Sequence, residues 1–495
     1  MAANLPFLLL AYGQVMVTGA VLGTHRGYDL YLLAWILPEL VLFGVGNILQ
    51  MHTIPALHAI EHDSGAEAYW QANWAVLTWF GGFSLAAALL CAAAAPMVFP
   101  KLFPTLNAGE LRQTIVIFQA LLVTMWVSAL VKILGNLHRA SHSMWLTAAS
   151  QSAVPLAVIL WLWVAPSWGI WALWSGLTLG ALIQAALLGP ALCSWGLLKH
   201  RLRCTHPMFK DLVRKLPVLV VVAIGFRLLL AGNRLVAAQL APGSVAVLRY
   251  AVFLLMAGLN VFTMPLLSVF FNRFSILAAR GSWAERADLL LTAMEILWLV
   301  LLPFSLFLGL FATPLVTLVL GRGAIGPSDV ERIAMTLRVF APVLPLTSWC
   351  FVALSAHTSR RSYGYPCVLG ILLPGLNLVL GFWLSRRAGL AGIAAATGIS
   401  LTLWAALLVW PLAVDVARAR LGRFSGNLLR SSVGPLLACG IVGTIYRLFP
   451  AMDGLPRAAA LAGLYAALAG TGLYLFSRNH IGECLITLKA VRVGR

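Results

Sequence analysis

Fourteen apolar stretches divide this chain, each close to the roughly twenty residues an α-helix needs to cross the hydrocarbon core of a bilayer. They cover residues 5–24, 29–58, 70–99, 112–135, 143–165, 169–194, 217–240, 243–271, 287–320, 333–356, 363–384, 389–412, 431–449 and 456–477. In lipid no water serves the backbone, so only helices or closed barrels satisfy every N–H and C=O. The alternating pattern of a barrel strand is missing. The sequence therefore predicts an all-α polytopic membrane protein. Composition agrees, with 61% hydrophobic and only 10% charged residues, where a soluble domain carries about 25% charged. The first stretch begins at Leu5 without a basic leader or a clear cleavage site, and reads as a retained span.

Net charge is +19. In a soluble domain that would suggest nucleic acid, but here the basic residues collect in short loops, so the expected partner is anionic membrane lipid and not nucleic acid. With the N-terminus inside, 21 lysines and arginines fall in inside loops and 9 in outside loops. Arg227, Arg234, Arg249 and Arg338 lie within spans. The bias places both termini in the cytoplasm. The acidic loop 59–69 dissents, with Glu61, Asp63 and Glu67, but acidic residues weigh little in this rule. The longest inside connection, 195–216, has the spacing of a basic amphipathic surface helix. It divides the chain into a six-helix lobe at 1–194, a linker at 195–216, a second six-helix lobe at 217–412, and two extra spans with a tail at 413–495. Kinks are expected at Pro38, Pro55, Pro303 and Pro314. The seven cysteines are scattered and form no CxxC pair, so neither a disulfide nor a metal cluster is expected.

The charges inside the apolar runs point to function. Arg227 sits near the middle of its span, and Arg234 lies two turns on along the same face. Arg249 lies in the next span, with Asn260 three turns further on that face. An arginine at the centre of a membrane helix costs about 2.5–3.5 kcal/mol on insertion scales. Arg234 and Arg249 are near enough to span ends either to snorkel to headgroups or to face, with Asn260, the same wet interior that Arg227 is expected to face. Guanidinium groups there suit a phosphate, which they bind through a fork. Glu39 lies in the middle of the second span, with Asn47 and Gln50 near its face. A carboxylate there is a proton or cation relay, a partner for an in-membrane arginine, or a helix–helix bridge. Glu295 and Arg338 lie nearer to span ends and are expected at the interface. Asp29 is a helix cap or a site residue.

Three separated stretches resemble the MurJ/MviN family of lipid II flippases. The first holds Asp29, Ala34, Leu37, Pro38, Gly46, Pro55, Leu57, Gly65, Glu67 and Ala68; the second holds Leu240, Gly243, Ser244, Val245, Tyr250 and Ala251. The third holds Arg322, Gly323, Asp329, Leu337 and Phe340. The resemblance implies the fold of the multidrug/oligosaccharidyl-lipid/polysaccharide exporter superfamily, with two six-span lobes and two extra C-terminal spans that supply a groove for a lipid tail. The chain departs from the family pattern at Gln14 and Val15, where Arg-Asp is usual, at Leu40–Leu42, where an arginine is usual, and at Val252 and Phe253, where Asp-Arg is usual. Arg249, one turn before Phe253, is positioned to substitute, and Arg227 adds a charge from the seventh span.

Other motifs have bland readings. His58, Glu61 and His62 spell H-x-x-E-H, but a zinc site needs a third ligand that is not apparent. Gly321, Gly323 and Gly326 spell G-x-G-x-x-G after a membrane span rather than a strand, which argues against a dinucleotide site. No Walker lysine motif occurs, and no cofactor is expected. The expected function is a flippase for a lipid-linked, polyprenyl-pyrophosphate glycan precursor in the bacterial inner membrane, without covalent chemistry. Cell-wall or polysaccharide assembly proteins are possible partners. The alternatives are a flippase for another exopolysaccharide or O-antigen unit, a cation-coupled multidrug exporter using Glu39, a non-transporting scaffold, and a membrane glycosyltransferase, for which the outside loops are short.

Overall fold

The computed structural model describes residues 5–40, 54–140, 144–195, 208–359, 363–413, 418–448 and 455–493. Every regular element among them is helical, as a solvent without hydrogen bonds requires. In order these are α1 (Leu5–Leu22), α2 (Arg26–Ala34), α3 (Ile54–Leu102), α4 (Ala108–Ala140), α5 (Met144–Ser150), α6 (Ala153–Val164), α7 (Ile170–Trp195) and α8 (Met208–Ala237). Next come α9 (Ser244–Gly258), a π-helical turn at Leu259–Thr263, α10 (Met264–Arg280), α11 (Trp283–Leu310), α12 (Ala312–Leu320), α13 (Pro327–Phe340) and α14 (Val343–Thr358). The series closes with α15 (Gly364–Ala413), α16 (Arg418–Leu448) and α17 (Leu455–Val493).

Among the described residues 9 helices are long and apolar enough to cross a membrane, or 10 if α13 and α14, which meet at 50°, count as one broken span. One of them, within α15, carries two expected stretches end to end. They are broken at Gly389, whose φ of 54° glycine alone adopts without strain. Much of the expected second stretch lies in 41–53, outside the described residues. Of the expected surface helix at 195–216, residues 196–207 lie outside the described residues, and 208–216 are the opening turns of α8. The ninth stretch breaks, as expected, but beside only one of its two prolines. α11 runs unbroken through Pro303, and the chain breaks instead at Phe311. Pro314 then falls in the first turn of α12, where a missing N–H removes no ladder bond.

The chain divides into two compact units, Met1–Ala246 with Arg322–Ile325, and Val247–Gly321 with Gly326–Arg495. In the first, α4 packs on α2, α3 and α7, burying Phe118 and Leu121. Polar ties cross this core: the Thr124 and Thr178 hydroxyls are 2.7 Å apart, and the Trp174 indole donates to the Ala120 carbonyl at 2.8 Å. The glycine-rich turn finds a structural use here. Ala324 donates its backbone N–H to the Ala20 carbonyl at 2.8 Å. Gly323, at φ 63°, lies so close that a Cβ would strike that carbonyl.

In the second unit α16 and α17 make the most extensive helix pair. They cross at Gly434 and Gly472, where a Cβ on either would come within 2.6 Å of the other's backbone. Such small-residue crossings let membrane helices pack closely. Tyr465 of α17 also donates its hydroxyl to the Pro303 carbonyl of α11 at 2.8 Å. Gly472→Ala is therefore expected to lower the melting temperature in detergent, since overpacking costs about 1–3 kcal/mol. Gly470→Ala, in open space, should hold or raise it, because alanine is the better helix former. Equal shifts in a thermal melt would contradict the crossing.

Candidate functional site

Two arginines converge on one carboxylate in the first unit. Arg227 and Arg234 are seven residues apart on α8, which brings both guanidinium groups to one helix face. Glu39 belongs to the helical residues 36–40 that follow α2. Arg227 Nη1 donates to Glu39 Oε1 at 2.7 Å. Arg234 Nη1 stands 2.8 Å from Oε2, a contact ion pair in which no N–H is aligned on the oxygen. The side chains are graded in exposure, with Arg227 at 32%, Glu39 at 19% and Arg234 at 8%. Arg234 thus does not snorkel: pairing with Glu39 offsets the cost of its burial. Of the three readings of Glu39, the geometry supplies the arginine partner, and the three side chains sum to one positive charge.

Asp29 is a cap, and it caps a helix other than its own. Fully buried, its Oδ2 accepts the Gly243 N–H at 2.6 Å and its Oδ1 the Ala246 N–H at 2.8 Å. These donors open α9, where the helix dipole favours a negative charge. Arg26 lies 3.8 Å from Asp29 and bonds Glu110 through its Nε at 2.6 Å. Glu110 itself closes a reciprocal capping box with Asn107 at the start of α4.

The remaining expected residues are dispersed. Gln14 is half-buried in α1, and Arg249 half-buried in α9. Asn260 is exposed in the π-helical turn, a feature frequent at functional sites. Asn47 and Gln50 lie outside the described residues. Arg338, expected at the membrane interface, joins Glu331 at 3.0 Å and the Thr313 hydroxyl at 2.6 Å. Among the described residues no group of three His, Cys, Asp or Glu side chains is gathered to hold a metal. His62 of the H-x-x-E-H motif is exposed and paired with Asp63.

Glu295, likewise expected at the membrane interface, is enclosed by protein. It lies at the centre of a polar knot in the second unit. Arg420 of α16 reaches Glu295 at 2.8 Å, the Thr292 hydroxyl at 2.9 Å, and Asp288. Asn427 donates to Glu295 at 3.4 Å, and His480 Nδ1 stands 3.9 Å from its other oxygen. Asp288, Thr292 and Glu295 recur at i, i+4 and i+7, one helix face. That spacing, matched by Arg420 and Asn427 seven apart, was the available sequence signal.

The profile of the family described as lipid II flippase MurJ matches residues 19–452 of this chain. The chain belongs to the MurJ family. A curated MurJ relative, the probable lipid II flippase of Bdellovibrio bacteriovorus, is 27% identical over 276 residues, covering 53% of this chain and 51% of that protein. The match thus spans about half the length of that relative. A solved structure of lipid II flippase MurJ in an inward closed conformation superposes with a TM-score of 0.81 at 14% identity, covering 97% of this chain and 99% of that one. An inward-facing multidrug resistance MATE family transporter of the MOP superfamily gives 0.67 at 13% identity, covering 84% and 94%. At these identities the structures speak for the fold alone: this chain has the polytopic helical fold that the MurJ and MATE structures share.

Proposed function

We propose that this chain moves a polyprenyl-pyrophosphate-linked cell-wall precursor such as lipid II across the bacterial inner membrane by alternating access. The observation that supports it, beside family membership, is Arg227: a guanidinium deep in an apolar helix, paired with Glu39 yet still one-third exposed. Arg227 holds the pyrophosphate through forked, charge-assisted bonds, while the prenyl tail stays in lipid. Arg249 and Asn260 of the second unit supply further contacts along the path. The step needs no covalent chemistry. A flippase for another lipid-linked glycan is the second reading, favoured by the departures at Gln14, Val15, Val252 and Phe253. A cation-coupled exporter is less well supported, because Glu39 faces two arginines that repel a cationic cargo. Proteoliposomes holding the full chain decide between the glycans. Fluorescent lipid II is expected to cross faster than an O-antigen-type prenyl-pyrophosphate glycan; the reverse order would select the second reading, and no transport of either would refute both.

The membrane map belongs to the same proposal. Both termini are cytoplasmic, from the bias of 21 basic residues over 9. In a background otherwise free of reactive cysteine, Cys204 is expected to resist an impermeant thiol reagent added to intact cells. Ser328→Cys, at an exposed position, should react. Equal labelling at both positions would overturn the map.

A further inference from the structure

We infer that Glu39 is a resident counter-anion that the cargo's pyrophosphate displaces from Arg227, and that Arg234 is the positioning residue that retains Glu39 during the exchange. The inference rests on the pyrophosphate reading of Arg227. It starts from the division of one carboxylate between two guanidinium groups, Oε1 to Arg227 at 2.7 Å and Oε2 to Arg234 at 2.8 Å. The two cations thus draw on one carboxylate. The exposure gradient says which of them is open to a ligand, since Arg234 is nearly enclosed at 8% and Arg227 is open at 32%. A ligand therefore reaches Arg227 and not Arg234.

Each arginine then keeps an anionic partner in both states. In the empty site Glu39 is shared, so neither arginine is left alone in a low dielectric, where an unpaired buried charge is costly. In the loaded site Arg227 turns to the pyrophosphate, which carries more charge than a carboxylate and accepts a forked contact. Glu39 stays with Arg234 as a neutral pair. The carboxylate thus weakens cargo binding and eases release, as a carrier that must let go requires. Without Arg234, both oxygens of Glu39 would turn to Arg227 and lock it.

The test uses the full-length protein in detergent, with farnesyl pyrophosphate as the binding probe and a thermal melt to confirm folding. Glu39→Gln is expected to bind the probe about tenfold more tightly than the unaltered protein, the scale of one charge-assisted bond. Arg234→Met should bind it about tenfold more weakly. The double variant Glu39→Gln, Arg234→Met should recover binding at least to the unaltered level, because the competitor has gone with its anchor. A merely structural Arg234 would give no such rescue. Should Glu39→Gln alone not fold, the double variant, which loses one charge of each sign, carries the comparison. A double variant as weak as Arg234→Met would overturn the exchange, and so would a folded Glu39→Gln that binds more weakly than the unaltered protein. Arg227→Ala separates this from the reading beneath it. If Arg227→Ala abolishes probe binding while rescue fails, only the exchange falls. If Arg227→Ala leaves binding unchanged, the pyrophosphate site itself falls.

Discussion

Asp29→Ala is expected to destabilise the protein by about 3 kcal/mol, more than the loss of an ordinary helix cap at about 1 kcal/mol. The difference lies in burial and charge. The Asp29 carboxylate is fully enclosed and accepts both the Gly243 and Ala246 N–H groups. Its removal leaves two backbone donors without a partner at the start of α9, and each buried unsatisfied donor costs about 1–3 kcal/mol. Asp29→Asn should be milder, keeping one acceptor oxygen but turning an amide N–H2 toward the other donor. The order unaltered, Asn, Ala in melting temperature is the readout. An Asp29→Ala protein that melts with the unaltered chain would contradict the cap. Because Asp29 joins residues more than two hundred positions apart, its loss should also loosen the first turn of α9 in hydrogen exchange.

The sequence foretold the helical membrane class, because lipid leaves the backbone few alternatives. It also placed Arg227 and Arg234 on one face, since heptad spacing survives folding unchanged. What receives them was not legible: Glu39 and Arg227 are 188 positions apart, and nothing local distinguishes an arginine partner from a proton relay. Arg234 admitted both snorkelling and cargo binding, because its distance from the span end says nothing about what packs over it. The surroundings of Glu295 were equally hidden, since the knot draws Arg420 from α16 and His480 from beyond the bend at Ser477 in α17. The chain breaks at Phe311 and not at Pro303 because a proline constrains only its own turn, while neighbouring helices decide where a span ends. The glycines of 321–326 resembled a nucleotide loop by spacing alone. The use of Gly323, close approach to the Ala20 carbonyl, depends on a helix about three hundred residues earlier.

Arg227 carries the functional account. About ten residues from either end of its span, it lies about 15 Å from the headgroups at 1.5 Å per residue. That is beyond the reach of its side chain without thinning the bilayer. Its guanidinium must therefore be served from within the protein, which Glu39 does in part. In the proposed transit the pyrophosphate would take over, and a forked contact of two charge-assisted bonds is worth about 1.5–3 kcal/mol per bond. Losing it should slow translocation at least about tenfold. Lysine keeps the charge and loses the fork, so Arg227→Lys should retain partial activity. Arg249→Ala should be impaired less than Arg227→Ala. Insertion should be normal in each, because the alanine variants remove an in-membrane charge, which lowers the insertion cost, and lysine leaves that charge in place. The most direct measurement is the initial rate of fluorescent lipid II translocation in proteoliposomes holding equal amounts of folded unaltered, Arg227→Lys and Arg227→Ala protein. The account expects the rates to fall in that order, with Arg227→Ala at the protein-free background; an Arg227→Ala rate equal to that of the unaltered chain would contradict it.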